Sequence, residues 1–155
     1  MKLILIRHSE KVANKDMLTQ KGKVQSNKLG KYLLDQKIDT IFCSPCLRCQ
    51  QTLEAILDAG SNPQSIHFSK LIRLKQKSEN FIDIKKRINL FIQDLFCEHS
   101  DNLVIAVVTH QQIIKMFSYQ LTTQVFDIDF ASVSIFEIKT NSAITITQNN
   151  TSFLS

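Results

Sequence analysis

The sequence has few of the residues that accumulate in loop-rich and low-complexity chains. Its 155 residues include only three glycines and two prolines. Hydrophobic residues make up 43% and charged residues 21%, which is typical of a soluble globular protein. A chain of this length is predicted to form one domain with a substantial core over residues 1–150, followed by a polar tail at residues 151–155.

The sequence also lacks a long apolar run. No stretch approaches the roughly 20 apolar residues that a membrane-spanning helix needs. Only four apolar residues follow Met1-Lys2, too few for the hydrophobic region of a secretory signal. We therefore expect a cytoplasmic protein that does not interact with membranes. In that compartment its four cysteines are expected to be thiols rather than disulfides.

Basic residues outnumber acidic residues by 19 to 14, and the formal net charge is +5. A positive field attracts anionic partners without identifying them. The densest basic run, Lys85-Lys86-Arg87, is typical of a solvated helix face, and the other lysines are dispersed. Nucleic-acid binding is therefore not expected.

Apolar runs of strand type alternate along the chain with segments of helical period, which predicts an α/β sandwich with a largely parallel sheet. The C-terminal part is predicted to form an antiparallel pair around Thr140-Asn141-Ser142. The predicted strands cover residues 3–6, 38–43, 65–68, 103–108, 133–138 and 143–147. The predicted helices cover about 19–36, 46–60, 80–96 and 110–119. Thr19 is the predicted cap of the first helix, and the apolar faces of the helices include Val24, Leu34, Leu47 and Phe81.

Polar side chains follow three of the predicted strands at the point where each strand ends. Arg7-His8 ends the run Leu3-Ile4-Leu5-Ile6, Ser44-Pro45 ends the second strand, and Thr109-His110 ends the central one. Arg48 lies one turn into the helix after Pro45. Because the carboxyl ends of parallel strands share one edge of a sheet, we expect these groups to meet there.

Two arginines and two histidines around one point favour a tetrahedral phosphate dianion. A guanidinium presents a planar fork of donors that fits phosphate oxygens. A neutral imidazole is a nucleophile or a proton carrier. A helix that begins after His110 adds backbone N–H groups and the positive end of its dipole.

Several segments resemble, in order, the motifs of one family. Arg7-His8-Ser9-Glu10 stands for Arg-His-Gly-Glu, residues 18–25 for Leu-Thr-x-x-Gly-x-x-Gln, residues 43–52 for Ser-Ser-Pro-x-x-Arg-x-x-x-Thr, and residues 107–110 for Val-Val-Ser-His. Asn14 falls where the family has an Asn that contacts phosphate. The family is the histidine phosphatase superfamily, also called phosphoglycerate mutase-like. The resemblance implies a three-layer α/β/α sandwich.

The resemblance also implies a role for each motif residue. His8 would be the nucleophile that accepts the phosphoryl group, and Arg7, Arg48 and His110 would hold it and stabilise its oxygens in the transition state. Water would then hydrolyse the phosphohistidine. No metal or other cofactor is expected, because fixed cations supply the charge stabilisation.

The sequence departs from the family pattern in three ways. Ser9 replaces a Gly and Gln111 replaces another, so both side chains are predicted to narrow the pocket or contact the substrate. Leu71-Ile72-Arg73 carries Arg where larger members have an acidic proton donor. Glu79 is the best remaining acid, although a carboxylate at a helix start is equally favoured by the dipole alone. The segment that would form a cap domain is missing.

Those departures favour a phosphatase acting on a phosphohistidine-containing protein, with phosphorylated small molecules as the second substrate class. A phosphoramidate leaves more easily than an alkoxide, which needs a general acid. A pseudophosphatase that only binds phosphorylated partners and a phosphomutase are the alternatives. The oligomeric state is not indicated, and a monomer is favoured.

The spacing of Cys43, Cys46 and Cys49 permits two interpretations. Such spacing can bind zinc or an iron–sulfur cluster, with Cys97 as the only distant fourth ligand. Packing of small side chains under the site is the favoured interpretation. An exposed Cys46 beside Arg48 would be an oxidisable thiol.

Overall fold

The computed structural model of the protein describes residues 1–98, 102–139 and 142–155. His99 and the predicted turn residues 140 and 141 lie outside this part. The predicted strands and helices are all present, with ends shifted by a few residues. The strands are β1 (Lys2–Arg7), β2 (Thr40–Cys43), β3 (Ser65–Phe68), β4 (Val104–Thr109), β5 (Val133–Lys139) and β6 (Ser142–Asn150). The helices are α1 (Gln20–Leu33), α2 (Leu47–Asp58), α3 (Phe81–Glu98) and α4 (Gln111–Thr122).

The six strands form one mixed sheet in the order β3-β2-β4-β1-β5-β6. The first four in this order are parallel, and β5 and β6 pair antiparallel to their neighbours. The register places Arg7 opposite Thr109 and Cys43 opposite Val108, so β1, β2 and β4 end together. This common edge is where the polar strand-end residues were predicted to meet.

Helices cover both faces of the sheet, which gives the three-layer α/β/α sandwich. Successive residues of a strand point to opposite faces. Leu3 and Leu5 of β1 therefore pack in one core with α3 and α4, while Ile4 and Ile6 pack in a second core with α1 and α2. A strand buried on both faces requires a continuous apolar sequence, as β1 and β4 have.

Four of the apolar side chains predicted on the inner helix faces are exposed instead. The buried face of α1 includes Gly22 and Gly30, and a Cβ on Gly30 would lie 2.7 Å from an oxygen of the α2 backbone. Small residues allow this close contact between the helices. A prediction that counts only apolar side chains therefore placed the buried face of the helix incorrectly. The side chains that the prediction placed wrongly are Val24 (49% exposed), Leu34 (43%), Leu47 (46%) and Phe81 (58%).

The last five residues pack on the domain rather than extending from it as a tail. A short 3-10 helix, Ser152–Leu154, follows β6. Phe153 stacks on Tyr32 of α1 with ring centroids 4.5 Å apart. Lys28 Nζ donates to the Leu154 carbonyl at 2.9 Å. Composition suggested a tail here, and two apolar side chains at the very end reverse that expectation.

No cap domain is present in the described part of the chain. A connection of twelve residues, 69–80, joins β3 to α3 and contains a single 3-10 turn, Lys70–Ile72. Among the helices that the structure describes, none has the length and apolarity to cross a membrane. The connection 69–80 and the residues that follow β1, β2 and β4 border the site at the sheet edge.

Candidate active site

The two histidines and Ser44 lie directly beyond the strand ends. The His8 N–H donates to the Thr109 carbonyl at 3.0 Å, and the Ser44 N–H donates to the Val108 carbonyl at 2.9 Å. These bonds continue the sheet ladder by one residue. The rings of His8 and His110 meet edge to face with centroids 5.3 Å apart. The convergence of the strand ends is as predicted.

Arg48 joins the two imidazoles. Its Nε donates to His8 Nε2 at 3.1 Å, and its Nη2 donates to His110 Nδ1 at 3.2 Å. The arginine is only 5% exposed, although it lies in the first turn of α2. A guanidinium can only donate, so each imidazole must present a lone pair to it. Both rings are therefore held neutral around one buried cation.

The protonation of His8 suits nucleophilic attack from Nε2. Its Nδ1 lies 2.8 Å from the Ser9 carbonyl and must carry the proton, which leaves the lone pair on Nε2. Burial, together with the nearby Arg48 and Arg7 guanidiniums and against the bond to Ser9, lowers the pKa of His8 to about 3. At neutral pH the ring is thus an uncharged nucleophile.

His110 is fixed in the opposite tautomer by Ser44. Since Nδ1 accepts from Arg48, Nε2 carries the proton and donates to Ser44 Oγ at 2.8 Å. Burial, together with the nearby His8 and Arg48, lowers the pKa of His110 to about 2. His110 also precedes α4 as its N-cap residue, so the unpaired N–H groups of that helix open on the same edge.

Arg7 contributes a second cation, clamped from the loop before β5. Its Nη1 donates to the Ile128 carbonyl at 2.6 Å, and its guanidinium lies 3.8 Å from the centre of the Phe130 ring. Burial lowers the pKa of Arg7 although Asp129 opposes the effect. In the described part of the chain its Nε is buried without a hydrogen-bond partner. A phosphate oxygen can satisfy such a donor.

Asp16 is a site residue that sequence reasoning missed. Its carboxylate accepts from Arg48 Nη1 at 2.5 Å and from the Leu47 N–H at 2.9 Å. It therefore caps α2, whose own N-cap residue Cys46 makes no side-chain bond, and orients the Arg48 guanidinium. A loop closed by a bridge between Lys11 and Leu18 carries it there. Nothing in the local sequence indicates which helix an acid on this loop caps.

Comparison with known proteins identifies the family of this site. The model of the family described as "Histidine phosphatase superfamily (branch 1)" matches residues 3–71 and 62–151. The chain belongs to this superfamily. The fold that the resemblance implied is thereby confirmed.

Individual proteins of known structure or name resemble this superfamily member as well. The Schizosaccharomyces pombe protein named "Probable phosphatase C1687.21" is 31% identical over 116 residues, which cover 66% of this chain and 55% of that protein. The chain thus spans only about half the length of that Schizosaccharomyces pombe protein. YhfR of Bacillus stearothermophilus is 20% identical, with a TM-score of 0.86 and 99% of both chains covered. The alpha-ribazole phosphatase of Shigella flexneri is 22% identical, with a TM-score of 0.81, covering 97% of this chain and 96% of its own.

Ser9 is bonded to the two helices α1 and α2. Its hydroxyl accepts from Ser26 Oγ of α1 at 2.7 Å, and its N–H donates to Thr52 Oγ1 of α2 at 3.2 Å. The residue is fully buried. The Ser9 side chain is therefore bonded to α1, and the substrate contact predicted for it stays a prediction. A serine replaces glycine here because a second hydroxyl, on Ser26, satisfies it.

Asn14 lies in a loop and Gln111 at a helix start, and neither has a contact among the described residues that tests its predicted role. Asn14 is exposed in the loop after β1 with φ of +58°, a left-handed value that suits Asn in a turn. Gln111 is the first residue of α4, half-buried and next to His110. The phosphate contact of Asn14 and the substrate contact of Gln111 stay predictions.

Glu79 lies in an ion-pair network with two arginines. Its carboxylate lies 2.8 Å from Arg87 Nε and 3.0 Å from Arg73 Nη1, and it also accepts the Gln76 N–H at 2.7 Å. Burial raises its pKa, but the bonds from Arg87, Gln76 and Arg73 outweigh that effect and lower the pKa to about 2. A carboxyl that is ionised at neutral pH and held by two cations is poorly suited to donate a proton. The contacts of Glu79 are those of an ion pair, and its role as proton donor stays a prediction.

The cysteines near the site are packing residues in two of three cases. Cys43 and Cys49 are buried in the core under α1 and α2. Burial raises the pKa of the Cys43 thiol to about 12 and also raises that of Cys49. Protonated thiols are poor nucleophiles. Within the described residues, no group of three or more His, Cys, Asp or Glu side chains is arranged to hold a metal ion. Cys46 is half-buried at the start of α2.

Proposed function

We propose that this protein is a phosphatase that transfers a phosphoryl group to His8 Nε2 and then to water. The observation that carries the proposal is the hydrogen bonding of His8. The Ser9 carbonyl holds the proton on Nδ1, and Nε2 presents its lone pair to a buried guanidinium. A nucleophile and a cation that binds the transferred group are thus already in contact.

The first step forms a P–Nε2 bond as the bond from phosphorus to the leaving group breaks. The leaving group departs with the electron pair of that bond. Arg48 must exchange its bond to His8 Nε2 for bonds to phosphoryl oxygens, while Asp16 keeps hold of Nη1. Arg7, with its unpaired Nε, and the N-terminus of α4 offer further donors to these oxygens.

The second step breaks the P–Nε2 bond by attack of water and releases inorganic phosphate. The bond from Nδ1 to the Ser9 carbonyl stabilises the ring while Nε2 carries phosphorus. His8 then returns to its neutral form because its pKa of about 3 lies far below neutral pH. The positive charge of Arg7 and Arg48 supplies the stabilisation that a metal ion supplies in other phosphatases.

The missing proton donor favours substrates whose leaving group departs readily. Glu79 is occupied by Arg73 and Arg87, so an alkoxide leaving group has no acid of suitable pKa in that network. We therefore favour a phosphohistidine-containing protein as the substrate, because the leaving imidazole is far less basic than an alkoxide. Phosphate monoesters are the second class, and the name of the Shigella flexneri relative favours them.

Hydrolysis of a chromogenic aryl phosphate tests the proposal without depending on the substrate. Its leaving group needs no protonation, so the wild-type protein should release the aryl alcohol while His8→Ala loses about 10³-fold or more in kcat. His67→Ala is the matched control, since His67 lies exposed on β3. Equal activity of wild type and His8→Ala would reject the covalent mechanism. Tight phosphate binding without turnover in the wild type would favour the pseudophosphatase.

A further inference from the structure

A groove outside the phosphate site separates the start of α3 from α4. It has a volume of about 560 Å³, within the range of ligand pockets. Its lining is mainly apolar and comprises Phe81, Ile84, Met116, Tyr119 and Val125 together with Lys75, Gln112 and Lys115. Nothing in the proposed phosphatase reaction uses this groove.

Three of the apolar side chains that line the groove are exposed to solvent. Phe81 and Val125 are each 58% exposed and Tyr119 is 39% exposed. Phe81 belongs to the apolar stripe of α3, yet the stripe extends beyond the core at its first turn. Neighbouring exposed aromatic and aliphatic side chains mark interaction sites more often than isolated ones do.

The charged residues that line the groove are lysines. Lys75 and Lys115 line it, and none of the described lining residues is acidic. Lys85 adds a third ammonium, 6.0 Å from the centre of the Tyr119 ring. Among the residues that the structure describes, one acid pairs with these lysines: Asp127, which lies 3.3 Å from Lys115 and is 94% exposed. An occupant with apolar and acidic side chains therefore complements the groove.

The groove begins beside the phosphate site and leads away from it. Gln112, which lines it, lies two residues after His110, and Met116 and Tyr119 follow on the same face of α4. At 1.5 Å per residue, this face extends about 10 Å from Gln112 to Tyr119. The two histidines and Arg48 do not line the groove. A substrate that fills the length of the groove while its phosphoryl group is at His8 must therefore extend about 10 Å or more.

We propose that this groove docks an amphipathic, acidic segment of a phosphorylated protein whose phosphoryl group enters the site at His8. The segment would place apolar side chains between α3 and α4 and carboxylates near Lys75 and Lys115. This inference rests on the proposed phosphatase function and names the class of its substrate. The recognition mode is that of a helix in an apolar groove.

Two synthetic phosphohistidine peptides of equal length test the docking. One carries Leu, Phe and Glu at helical spacing within about 10 Å of the phosphohistidine, which is the length of the groove, and the other carries Ser at those positions. The wild-type protein should hydrolyse the first with a kcat/KM about tenfold higher, since burial of two or three apolar side chains exceeds the cost of ordering the peptide by that margin. Equal kcat/KM for the two peptides would overturn the proposal.

A matched pair of variants places the effect in the groove. Val125→Glu should abolish the preference, whereas Ile146→Glu should retain it, because Ile146 is 57% exposed on β6 and lies outside the groove. Both variants should hydrolyse an aryl phosphate at the wild-type rate, which shows that they are folded. A preference that survives Val125→Glu would overturn the proposal. The proposal would also be overturned if Val125→Glu changed the kcat/KM ratio of naphthyl phosphate to phenyl phosphate but left the peptide preference unchanged. That result would assign the groove to small esters.

Binding separates failure of the docking from failure of the proposed function. The affinity of both peptides, fluorescently labelled, for His8→Ala is measured by anisotropy, which needs no turnover. A tenfold difference in Kd that Val125→Glu removes supports the groove even if neither peptide is hydrolysed. If the wild-type protein also fails to hydrolyse aryl phosphate, the phosphatase proposal is rejected while the docking proposal stands. Equal affinities would reject the docking segment alone.

Discussion

Acidification from pH 7.5 to pH 5.0 should destabilise the fold through His8 and His110. Both imidazoles are buried, and their pKa values are lowered to about 3 and about 2. In the unfolded chain a histidine titrates near its ordinary value of about 6.5. Below that pH the unfolded state binds protons that the folded state excludes, so stability falls as the pH falls.

The size of the effect follows from the unfolded histidine alone over this range. Each buried histidine costs about 1.4 kcal/mol per pH unit below 6.5 until the folded pKa is approached. At pH 5.0 this amounts to about 2 kcal/mol for each ring and about 4 kcal/mol for the pair. The pKa of Glu79 is lowered to about 2, so its stabilising contribution also decreases as the pH falls, but mainly below the ordinary pKa of a Glu carboxyl. The range from pH 7.5 to 5.0 therefore isolates the imidazoles.

Urea denaturation of the wild type and two variants at several pH values measures this loss. His8→Asn keeps a donor toward the Ser9 carbonyl and removes the titrating ring, so it should reduce the loss by about 2 kcal/mol. His67→Asn is the control, because His67 is exposed on β3. The free energy of unfolding should be obtained at constant ionic strength, without phosphate, which would bind the folded state.

Two results would refute the reasoning. A wild-type free energy of unfolding that changes by less than about 1 kcal/mol between the two pH values would show that the buried rings are not held neutral. An unchanged pH dependence in His8→Asn would show that other groups cause the loss.

Three further predictions follow from particular contacts. Asp16→Ala should raise the KM for aryl phosphate about tenfold through a loosened Arg48, with Asp16→Asn intermediate, and an unchanged KM in steady-state kinetics would contradict this. Glu79→Gln should lower the free energy of unfolding by about 3 kcal/mol, because it leaves Arg87 without its anion. The same variant should keep the ratio of alkyl to aryl phosphate turnover, and a fall in that ratio would identify Glu79 as the acid. Gly30→Ala should lower Tm by several degrees, since its Cβ would lie 2.7 Å from an α2 backbone oxygen, and a retained Tm would disprove the close contact.

The strands and helices could be predicted because their apolar periods are strong. β1 and β4 are buried on both faces and read as continuous apolar runs, which fixes their place in the middle of the sheet. The parallel order then brings Arg7-His8 and His110 to one edge without any knowledge of side-chain contacts. Most of the candidate site was predictable for that reason.

The rest depends on tertiary contacts that no local pattern encodes. Asp16 caps a helix that starts about 30 residues later in the chain, and Phe130 covers Arg7 from the loop before β5. The hydroxyl that donates to Ser9 belongs to Ser26 on a different element, which the local sequence does not indicate. Glu79 was ambiguous in sequence, and only the positions of the two arginines around it favour the ion-pair interpretation.

Detection of a phosphoryl group on His8 during turnover tests the central claim most directly. The wild-type protein is mixed with excess aryl phosphate, quenched in alkali, where phosphohistidine survives, and mapped by mass spectrometry. We predict one phosphoryl group, on His8, that acid removes, and none in His8→Ala. Steady turnover by the wild type with no phosphoryl group on the protein, or with one on another residue, would contradict the mechanism.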